Sequence, residues 1–196
     1  MDASICEVVE LRQYTLVPGS TSAFVELFED HLVAPQEALG MRLLGVFTRP
    51  DEDDKFVWLR GFPVRSERKR ALEDFYYGPV WKQHREQANG MMIDSDDVHL
   101  LRPVPGRPTI EDLIAESSLL PASTSFALTV ASGPVAAEHP GRGTRTAVLE
   151  TEPTANDFPQ LPVHTHPVRV TLRRLTDPES PADVVQLMPT RRSRLR

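Results

Sequence analysis

The stretch Phe56-Val57-Trp58-Leu59-Arg60-Gly61-Phe62 decides the fold of this chain. Aromatic and β-branched side chains favour a pleated, buried surface, so this run predicts a central β-strand, which Pro63 ends. Side chains two positions apart lie on the same face of a strand. One face of the predicted strand therefore carries Phe56, Trp58, Arg60 and Phe62.

The segments around this strand alternate between strand and helix patterns. Apolar residues at strand spacing predict further strands at 5–17, 41–48 and 97–104. A helix is predicted after Pro18-Gly19, and two short helices within 66–92. Those two are separated at Gly78-Pro79, since glycine suits a helix end and proline suits a first turn. The order βαββαβ is that of a ferredoxin-like unit.

The second half of the chain repeats part of this pattern. Residues 57–60 and 170–173 share V-x-L-R, and residues 97–103 and 183–189 share D-V-x-x-L-x-P. The two motifs start 40 positions apart in the first copy and 13 in the second, so the second copy has no room for the long helical segment. Its first two strands are predicted at 125–132 and 145–151, with a loop at 133–143.

These patterns predict an α+β protein of two tandem ferredoxin-like units, the second degenerate and poor in helix. We expect a complete unit at 1–107, a linker at 108–124 and a reduced unit at 125–196. A sheet without helices must be covered by another layer. The natural cover is the sheet of the first unit, which would give an internal barrel or sandwich.

The composition excludes several classes of protein. The 196 residues carry a formal net charge of −6, which disfavours nucleic-acid binding because phosphates require a basic surface. A single cysteine, Cys6, excludes an internal disulfide and fits a reducing compartment. The N-terminus lacks a secretory pattern, and no segment has the apolar length of a membrane span. We therefore expect a cytoplasmic protein with no membrane partner.

The first unit offers a candidate small-molecule site. On the first strand, Arg12 and Tyr14 share a face with Glu10. If this face and the face of Trp58 both meet the helices, an aromatic cavity with two guanidinium groups lies beneath those helices. The alternative is ordinary core, with Arg12 paired to Glu10 or Glu73.

Each residue of this site has a predicted role. Tyr14, Tyr76 and His84 are the candidates for moving a proton. Arg12 and Arg60 would bind an oxyanion or a carboxylate. The aromatic walls that contact the substrate and exclude water would be Trp58, Phe62, Phe75, Tyr77 and Trp81. His84 follows Trp81 by three residues on one helical face, although a lone histidine is more often structural.

Other residues carry weaker signals. His164 and His166 would point to the same side of a strand, with Glu138, His139 and Asp157 as the nearest candidate partners. Without fixed partners these histidines favour a polar loop over a metal site, so we assign no metal ligand. Cys6 is expected to be a buried thiol, and the basic tail 191–196 to be solvated or to bind an acidic partner. No cofactor motif is present, and we expect no cofactor.

Three segments resemble the NIPSNAP family of the dimeric α/β-barrel superfamily. They are residues 10–16 with Pro18-Gly19, residues 75–82 (Phe75-Tyr76-Tyr77-Gly78-Pro79-Val80-Trp81-Lys82), and residues 151–163. The resemblance implies a dimeric α/β barrel that assembles as a homodimer or a higher homo-oligomer. It implies little about activity, because that superfamily includes cofactor-free monooxygenases, isomerases, haem-handling proteins and members with no assigned role. It offers no counterpart for His164-Thr165-His166.

Three functions follow from these observations. The first is a cofactor-independent enzyme that acts on a small organic molecule with Arg, Tyr and His groups in the first unit. The second is a non-catalytic protein that binds a small molecule with the same walls. The third is an oligomeric assembly module, which would be favoured if Trp58, Arg60 and Trp81 were packed without a cavity.

Overall fold

The computed structural model describes residues 5–117, 124–132, 145–175 and 184–195. The strands are β1 (Val8–Leu16), β2 (Arg42–Thr48), β3 (Lys55–Phe62), β4 (Met92–Pro103), β5 (Phe126–Ser132), β6 (Thr146–Thr151), β7 (Val168–Arg174) and β8 (Val185–Pro189). The α-helices are α1 (Thr21–Leu27), α2 (Val33–Ala38), α3 (Arg68–Tyr76), α4 (Pro79–Gly90) and α5 (Ile110–Ser117). A π-helical turn (Phe28–Leu32) joins α1 to α2, and a 3₁₀ turn (Arg65–Glu67) precedes α3.

The eight strands close into one barrel in the order β1-β3-β2-β8-β5-β7-β6-β4. The first four strands therefore run β4-β1-β3-β2 across the sheet, which is the order of a ferredoxin-like unit. The last four run β8-β5-β7-β6, the same relative order. Strand β2 pairs with β8 and strand β4 with β6, both antiparallel, and these two junctions close the barrel within one chain.

A hydrophobic core fills the barrel. Every strand contributes at least one buried side chain to it, for example Leu11 from β1, Leu59 from β3 and Leu172 from β7. Helix α5 adds Ile110 and Leu113 to the same cluster. Because both halves of the chain supply this core, neither half can be unfolded without exposing apolar surface of the other.

A second core lies between the outer face of the first four strands and helices α1 to α4. It is formed by the strand residues that alternate with those of the barrel interior, such as Tyr14 and Trp58. Helices α1 and α3 contribute Phe24 and Phe75, and Phe158 covers the cluster from the segment before β7. This outer core contains the candidate site.

Along the first half, the predicted strands and the two helices within 66–92 agree with the structure in number and order, whereas the single helix predicted after Pro18-Gly19 is divided into α1, a π-helical turn and α2. Strand β4 begins at Met92, earlier than predicted, because the helical segment ends at Gly90. The segment 108–124, expected to be a linker, contains helix α5, whose buried residues pack on the barrel core. The predicted loop 133–143 and the start of the repeat at Asp183 lie outside the described residues. No helix occurs among the described residues after 117.

None of the helices in the described ranges combines the length and the apolar character needed to cross a membrane.

Candidate functional site

A fully buried carboxylate lies at the centre of the site. Glu10 on β1 accepts hydrogen bonds from three arginines, Arg12, Arg60 and Arg68. The two shortest contacts, from Arg60 Nη2 and Arg68 Nη2, are both 2.6 Å. Burial raises the pKa of Glu10, but the three guanidinium groups outweigh that effect and hold its pKa well below the usual range. The carboxylate is therefore ionised at neutral pH.

The buried charges around Glu10 do not cancel. Three guanidinium groups surround one carboxylate, and all four side chains are at most 3% exposed. Asp157 contacts Arg68 from the surface side and also binds Arg65. The region is therefore net positive, and a positive potential in a medium of low dielectric favours an anion nearby.

A small cavity lies beside this cluster, between the sheet and the helices. Its volume is about 30 Å³. Its lining is mostly aromatic and consists of Tyr14, Phe24, Phe28, Leu32, Gln36, Trp58, Phe75, Tyr76, Trp81, Ala88 and Met92. This volume suits one small molecule of about the size of water, whereas drug-sized ligands occupy roughly 300–1,000 Å³. A larger ligand would require the walls to move.

One wall residue has an unsatisfied polar group. The indole Nε1 of Trp58 is buried and has no hydrogen-bond partner among the residues that the structure describes. Buried donors without an acceptor are uncommon, and each costs about 1–3 kcal/mol. Trp58 is also one of the residues that line the cavity.

Tyr14 supplies a second donor. Its hydroxyl oxygen accepts a 2.9 Å hydrogen bond from Nε of Arg12, so its own proton remains for another acceptor. Burial raises the pKa of Tyr14, which keeps the hydroxyl protonated. Tyr14 is therefore suited to donate a hydrogen bond or a proton and not to act as a base.

Arg60 joins the cluster to the cavity walls. Its Nη1 donates to Gln36 at 2.9 Å and to the hydroxyl of Tyr76 at 3.5 Å. Its guanidinium carbon also lies 5.0 Å from the ring centre of Trp58. Arg60 therefore holds the polar ends of Gln36 and Tyr76 and lies against the ring of Trp58.

The predicted site residues divide into two groups. Tyr14, Trp58, Phe75, Tyr76 and Trp81 line the cavity. The other five do not, and they are Arg12, Arg60, Phe62, Tyr77 and His84. Arg12 and Arg60 bind Glu10 and do not line the cavity. For Arg12, pairing with Glu10 is one of the alternatives predicted from the sequence. Tyr77 is 56% exposed.

His84 lies outside the cavity lining. Its ring stacks on that of His31, with a centroid separation of 4.4 Å. Ala88 is the buried residue of helix α4 and faces the core. His84 lies on a different side of the helix, against His31 of the π-helical turn. The candidate proton donors at the cavity are therefore Tyr14 and Tyr76.

Three polar residues of this site were missed from the sequence. Arg68, Gln36 and Asp157 all contact the cluster, but none had a signal that could identify its partner. Arg68 looks like a surface residue in the sequence because it stands between other charged residues of a helix start. Glu73, named as a partner for Arg12, instead approaches Lys69.

Two other predicted features can now be placed. Cys6 is buried, and burial raises the pKa of its thiol, so it remains an unreactive protonated group. In the basic tail, Arg191 binds Glu29 and Asp30, and Arg194 binds Glu37. The acidic groups that these arginines contact therefore belong to the chain's own helices.

The histidines of the loop before β7 also have partners. Nε2 of His164 lies 3.0 Å from Oδ1 of Asp97, and Nε2 of His99 lies 3.6 Å from the same oxygen. Burial lowers the pKa of His99, which favours its neutral form. Asp157 is not part of this group, and Glu138 and His139 lie outside the described residues.

Comparison with known proteins identifies the family. The sequence model of the NIPSNAP family matches residues 9–108, which extend from the second residue of β1 to beyond the end of β4 and include helices α1 to α4. The chain belongs to the NIPSNAP family. The resemblance found in the sequence is thereby confirmed. No curated protein matches the chain.

Several solved structures are similar to this NIPSNAP protein. An uncharacterised NIPSNAP domain protein from Burkholderia xenovorans is 20% identical, with 52% of this chain and 98% of that chain covered and a TM-score of 0.47. A NIPSNAP family protein of unknown function from Agrobacterium tumefaciens is 18% identical over 54% and 95%, with a TM-score of 0.48. A putative chlorite dismutase is 11% identical over 93% and 94%, with a TM-score of 0.47.

Proposed function

We propose that this NIPSNAP protein binds a small aromatic carboxylate in the cavity between strands β1 and β3 and helices α1, α3 and α4. The observation that carries the proposal is that Trp58, which lines the cavity, has a buried indole N–H with no acceptor in the described part of the chain. A carboxylate oxygen is a strong acceptor for such a donor. Tyr14 offers a second donor from the adjacent strand.

Charge and shape both support a carboxylate with an aromatic body. The three guanidinium groups around Glu10 leave the region beside the cavity net positive. The walls are mainly aromatic, and aromatic rings pack well in edge-to-face contact. Phe28 and Trp58 already pack in this way, at a centroid distance of 4.9 Å.

Ligand entry requires the cavity to open, because a volume of about 30 Å³ does not accommodate an aromatic ring. Trp81 is the wall residue best placed to move. It is only half-buried, and it lies near the start of α4, directly after the Gly78-Pro79 break. Rotation of its side chain would enlarge the cavity and connect it to solvent.

The same site supports a cofactor-independent enzyme as a second candidate function. The supporting observation is that Tyr14 is held protonated beside Arg12, so it can deliver a proton to an oxyanion. The substitution Tyr14→Phe is then expected to abolish turnover of an aromatic acid, as measured by mass spectrometry, while the acid still binds. Turnover retained by this variant would show that Tyr14 is not the proton donor, and a wild-type protein that binds the acid without turning it over would favour the non-catalytic binding protein.

We also infer that residues 125–196 form a reduced ferredoxin-like unit whose sheet closes the barrel. The shared relative strand order of the two halves supports this inference. Assembly into a homodimer or a higher homo-oligomer remains a prediction from the family.

Tryptophan fluorescence can test the binding proposal directly. The chain has two tryptophans, Trp58 and Trp81, and both line the cavity. Titration with benzoate is expected to change their emission. Benzyl alcohol lacks the negative charge, and it is expected to bind at least about 10-fold more weakly, because a hydrogen bond to a charged group is worth about 1.5–3 kcal/mol.

Two variants make the titration specific. Trp58→Phe keeps an aromatic ring and removes the N–H, and it is expected to weaken benzoate binding by about 10-fold or more, with Trp81 as the reporter. Tyr77→Phe is the matched control, because Tyr77 neighbours the site in sequence but does not line the cavity. Equal affinity of the wild type and Trp58→Phe would refute the proposal.

A further inference from the structure

Four side chains with metal-binding atoms converge beside the middle of strand β4. Asp97 and His99 stand two positions apart on β4, and His164 and His166 stand two positions apart on the segment that leads to β7. The imidazole ring centroids of His99 and His164 are 4.7 Å apart, and those of His164 and His166 are 5.1 Å apart. His99 and His166 are 5.6 Å apart.

The donor atoms already have nearly the spacing of a coordination sphere. One donor atom each from Asp97, His99 and His164 lie within 4.8 Å of one another. Two of these separations, both to Oδ1 of Asp97, are 3.0 Å and 3.6 Å. In a tetrahedral site with bonds of about 2.0–2.1 Å, neighbouring donors lie about 3.3 Å apart.

The surrounding structure holds these donors in place. Nε2 of Gln13 donates a 2.9 Å hydrogen bond to Oδ2 of Asp97, which leaves Oδ1 directed at the histidines. The backbone N–H of His164 donates to the carbonyl of Val98, 2.8 Å away, so the loop is docked beside the two β4 ligands. Groups that orient a ligand in this way are typical of real metal sites.

We propose that Asp97, His99, His164 and His166 bind a divalent transition-metal ion such as Zn²⁺. Imidazole nitrogens with one carboxylate suit Zn²⁺ and its neighbours in the first transition row and do not suit Mg²⁺ or Ca²⁺. His166 becomes the fourth ligand by a change of side-chain rotamer. The site is open to solvent, since the side chains of Asp97 and His164 are 41% and 40% exposed.

This site is separate from the aromatic cavity. His99 pairs with Leu11 across β1 and β4, and Leu11 belongs to the core inside the barrel. The cavity lies on the other face of the same strands, among Tyr14 and Trp58. Metal binding can therefore be measured without a cavity ligand, and its failure would leave the binding proposal unaffected.

Cobalt titration of the untagged, EDTA-treated full chain tests the proposal. Co²⁺ is expected to bind one ion per chain and to show the visible absorption of a site with nitrogen and oxygen ligands, and Zn²⁺ is expected to displace it. Excess Mg²⁺ is expected to have no effect. Zn²⁺ should also raise the melting temperature, because a ligand that binds only the folded state stabilises it.

Variants locate the site. His99→Gln and His164→Gln, at the more exposed histidine, are each expected to weaken Co²⁺ binding by about 100-fold or more. Gln13→Leu removes only a supporting hydrogen bond and is expected to weaken Co²⁺ binding by about 10-fold. His84→Gln is the control, because His84 stacks on His31 away from this cluster. Absence of Co²⁺ binding to the wild type, loss of binding in His84→Gln, or unchanged binding in both His99→Gln and His164→Gln would overturn the proposal.

Discussion

At the scale of single residues, Glu10 is the group on which the site depends. Its carboxylate is shared by three buried guanidinium groups, so any change at Glu10 leaves several positive charges without a partner. Removal of one member of a buried ion pair costs more than the pair itself contributes, because the remaining charge is neither hydrated nor compensated.

The substitution Glu10→Gln is therefore expected to lower the free energy of unfolding by about 3–5 kcal/mol. Urea denaturation followed by circular dichroism measures this change. Glu150→Gln is the control, because Glu150 pairs with Arg102 near the surface, where such a pair contributes about 0–1 kcal/mol. A loss at Glu10 no larger than that at Glu150 would show that the buried cluster contributes no stability.

The pH dependence of stability follows from the same carboxylate. Because the folded-state pKa of Glu10 lies below that of the unfolded chain, its stabilising effect is complete above about pH 4.3 and is lost as the pH falls below that value. Thermal melting between pH 6 and pH 3 is expected to show a steeper acid loss in the wild type than in Glu10→Gln. The same dependence of melting temperature on pH in the wild type and in Glu10→Gln would contradict the assignment of this acid loss to Glu10.

The sequence predicted the identity of many wall residues but not the partners of the charged ones. Strand alternation predicted that Arg12 shares a face with Tyr14 and that Trp58 shares one with Arg60, and in the structure both faces meet the helices. The pairing of Arg12 with Glu10 was one alternative predicted from the sequence, but nothing there showed that Arg60 and Arg68 would share the same carboxylate, because those contacts depend on the packing of distant segments. The partners of His164 had a detectable signal, since Asp97-x-His99 repeats the two-residue spacing of His164-x-His166.

At the scale of elements, the break between α3 and α4 positions the aromatic walls. Gly78 ends one helix and precedes the other, with Tyr76 on one side and Trp81 on the other. A Cβ atom at Gly78 would collide with the carbonyl oxygen of Asp74. This close approach, and not an unusual φ, explains why glycine occupies the position, because its φ is −76°.

Gly78→Ala is expected to lower the free energy of unfolding by about 1–3 kcal/mol, since the clash forces the backbone of the break to move. Gly90→Ala is the matched control at the end of α4, where an added Cβ meets no atom within 4 Å. That substitution is expected to be neutral or to stabilise by about 0.4–1 kcal/mol. Thermal melting of both variants checks the contrast, and an equal effect of the two would refute it.

The π-helical turn between α1 and α2 shows what the sequence could not predict at this scale. The helical spacing of Phe24, Leu27 and Phe28 predicted one regular helix, but residues 28–32 widen into a π-helical turn. The turn brings Phe28 and Leu32 to the cavity and His31 against His84. Such turns are frequent at functional sites and have no simple sequence signature.

At the scale of the whole molecule, one barrel core joins the two halves of the chain. The internal repeat correctly predicted that the second half would be rich in strands, and the strand order along the barrel is compatible with the two units it proposed. It did not predict α5, because residues 110–117 lie outside both copies of the repeat. The apolar side chains of α5 pack on the barrel core, and that core exists only once the strands have assembled into the closed sheet.

Leu172→Ala tests whether the two halves unfold together. Leu172 is fully buried in the barrel core on β7, so its truncation is expected to cost about 2–5 kcal/mol. Because both tryptophans lie in the first half, a shared core predicts that this change lowers the urea midpoint measured by fluorescence as much as that measured by circular dichroism. An unchanged fluorescence midpoint would show that the first half is stable by itself.

The most direct test of the account is a crystal structure of the protein grown with benzoate. Benzoate is expected to lie in an enlarged cavity beside Phe28 and Phe75, with Trp81 rotated and a carboxylate oxygen within hydrogen-bond distance of Trp58 Nε1. A crystal structure in which benzoate lies elsewhere, or in which Trp58 Nε1 donates to a protein group and the cavity remains closed, would contradict it.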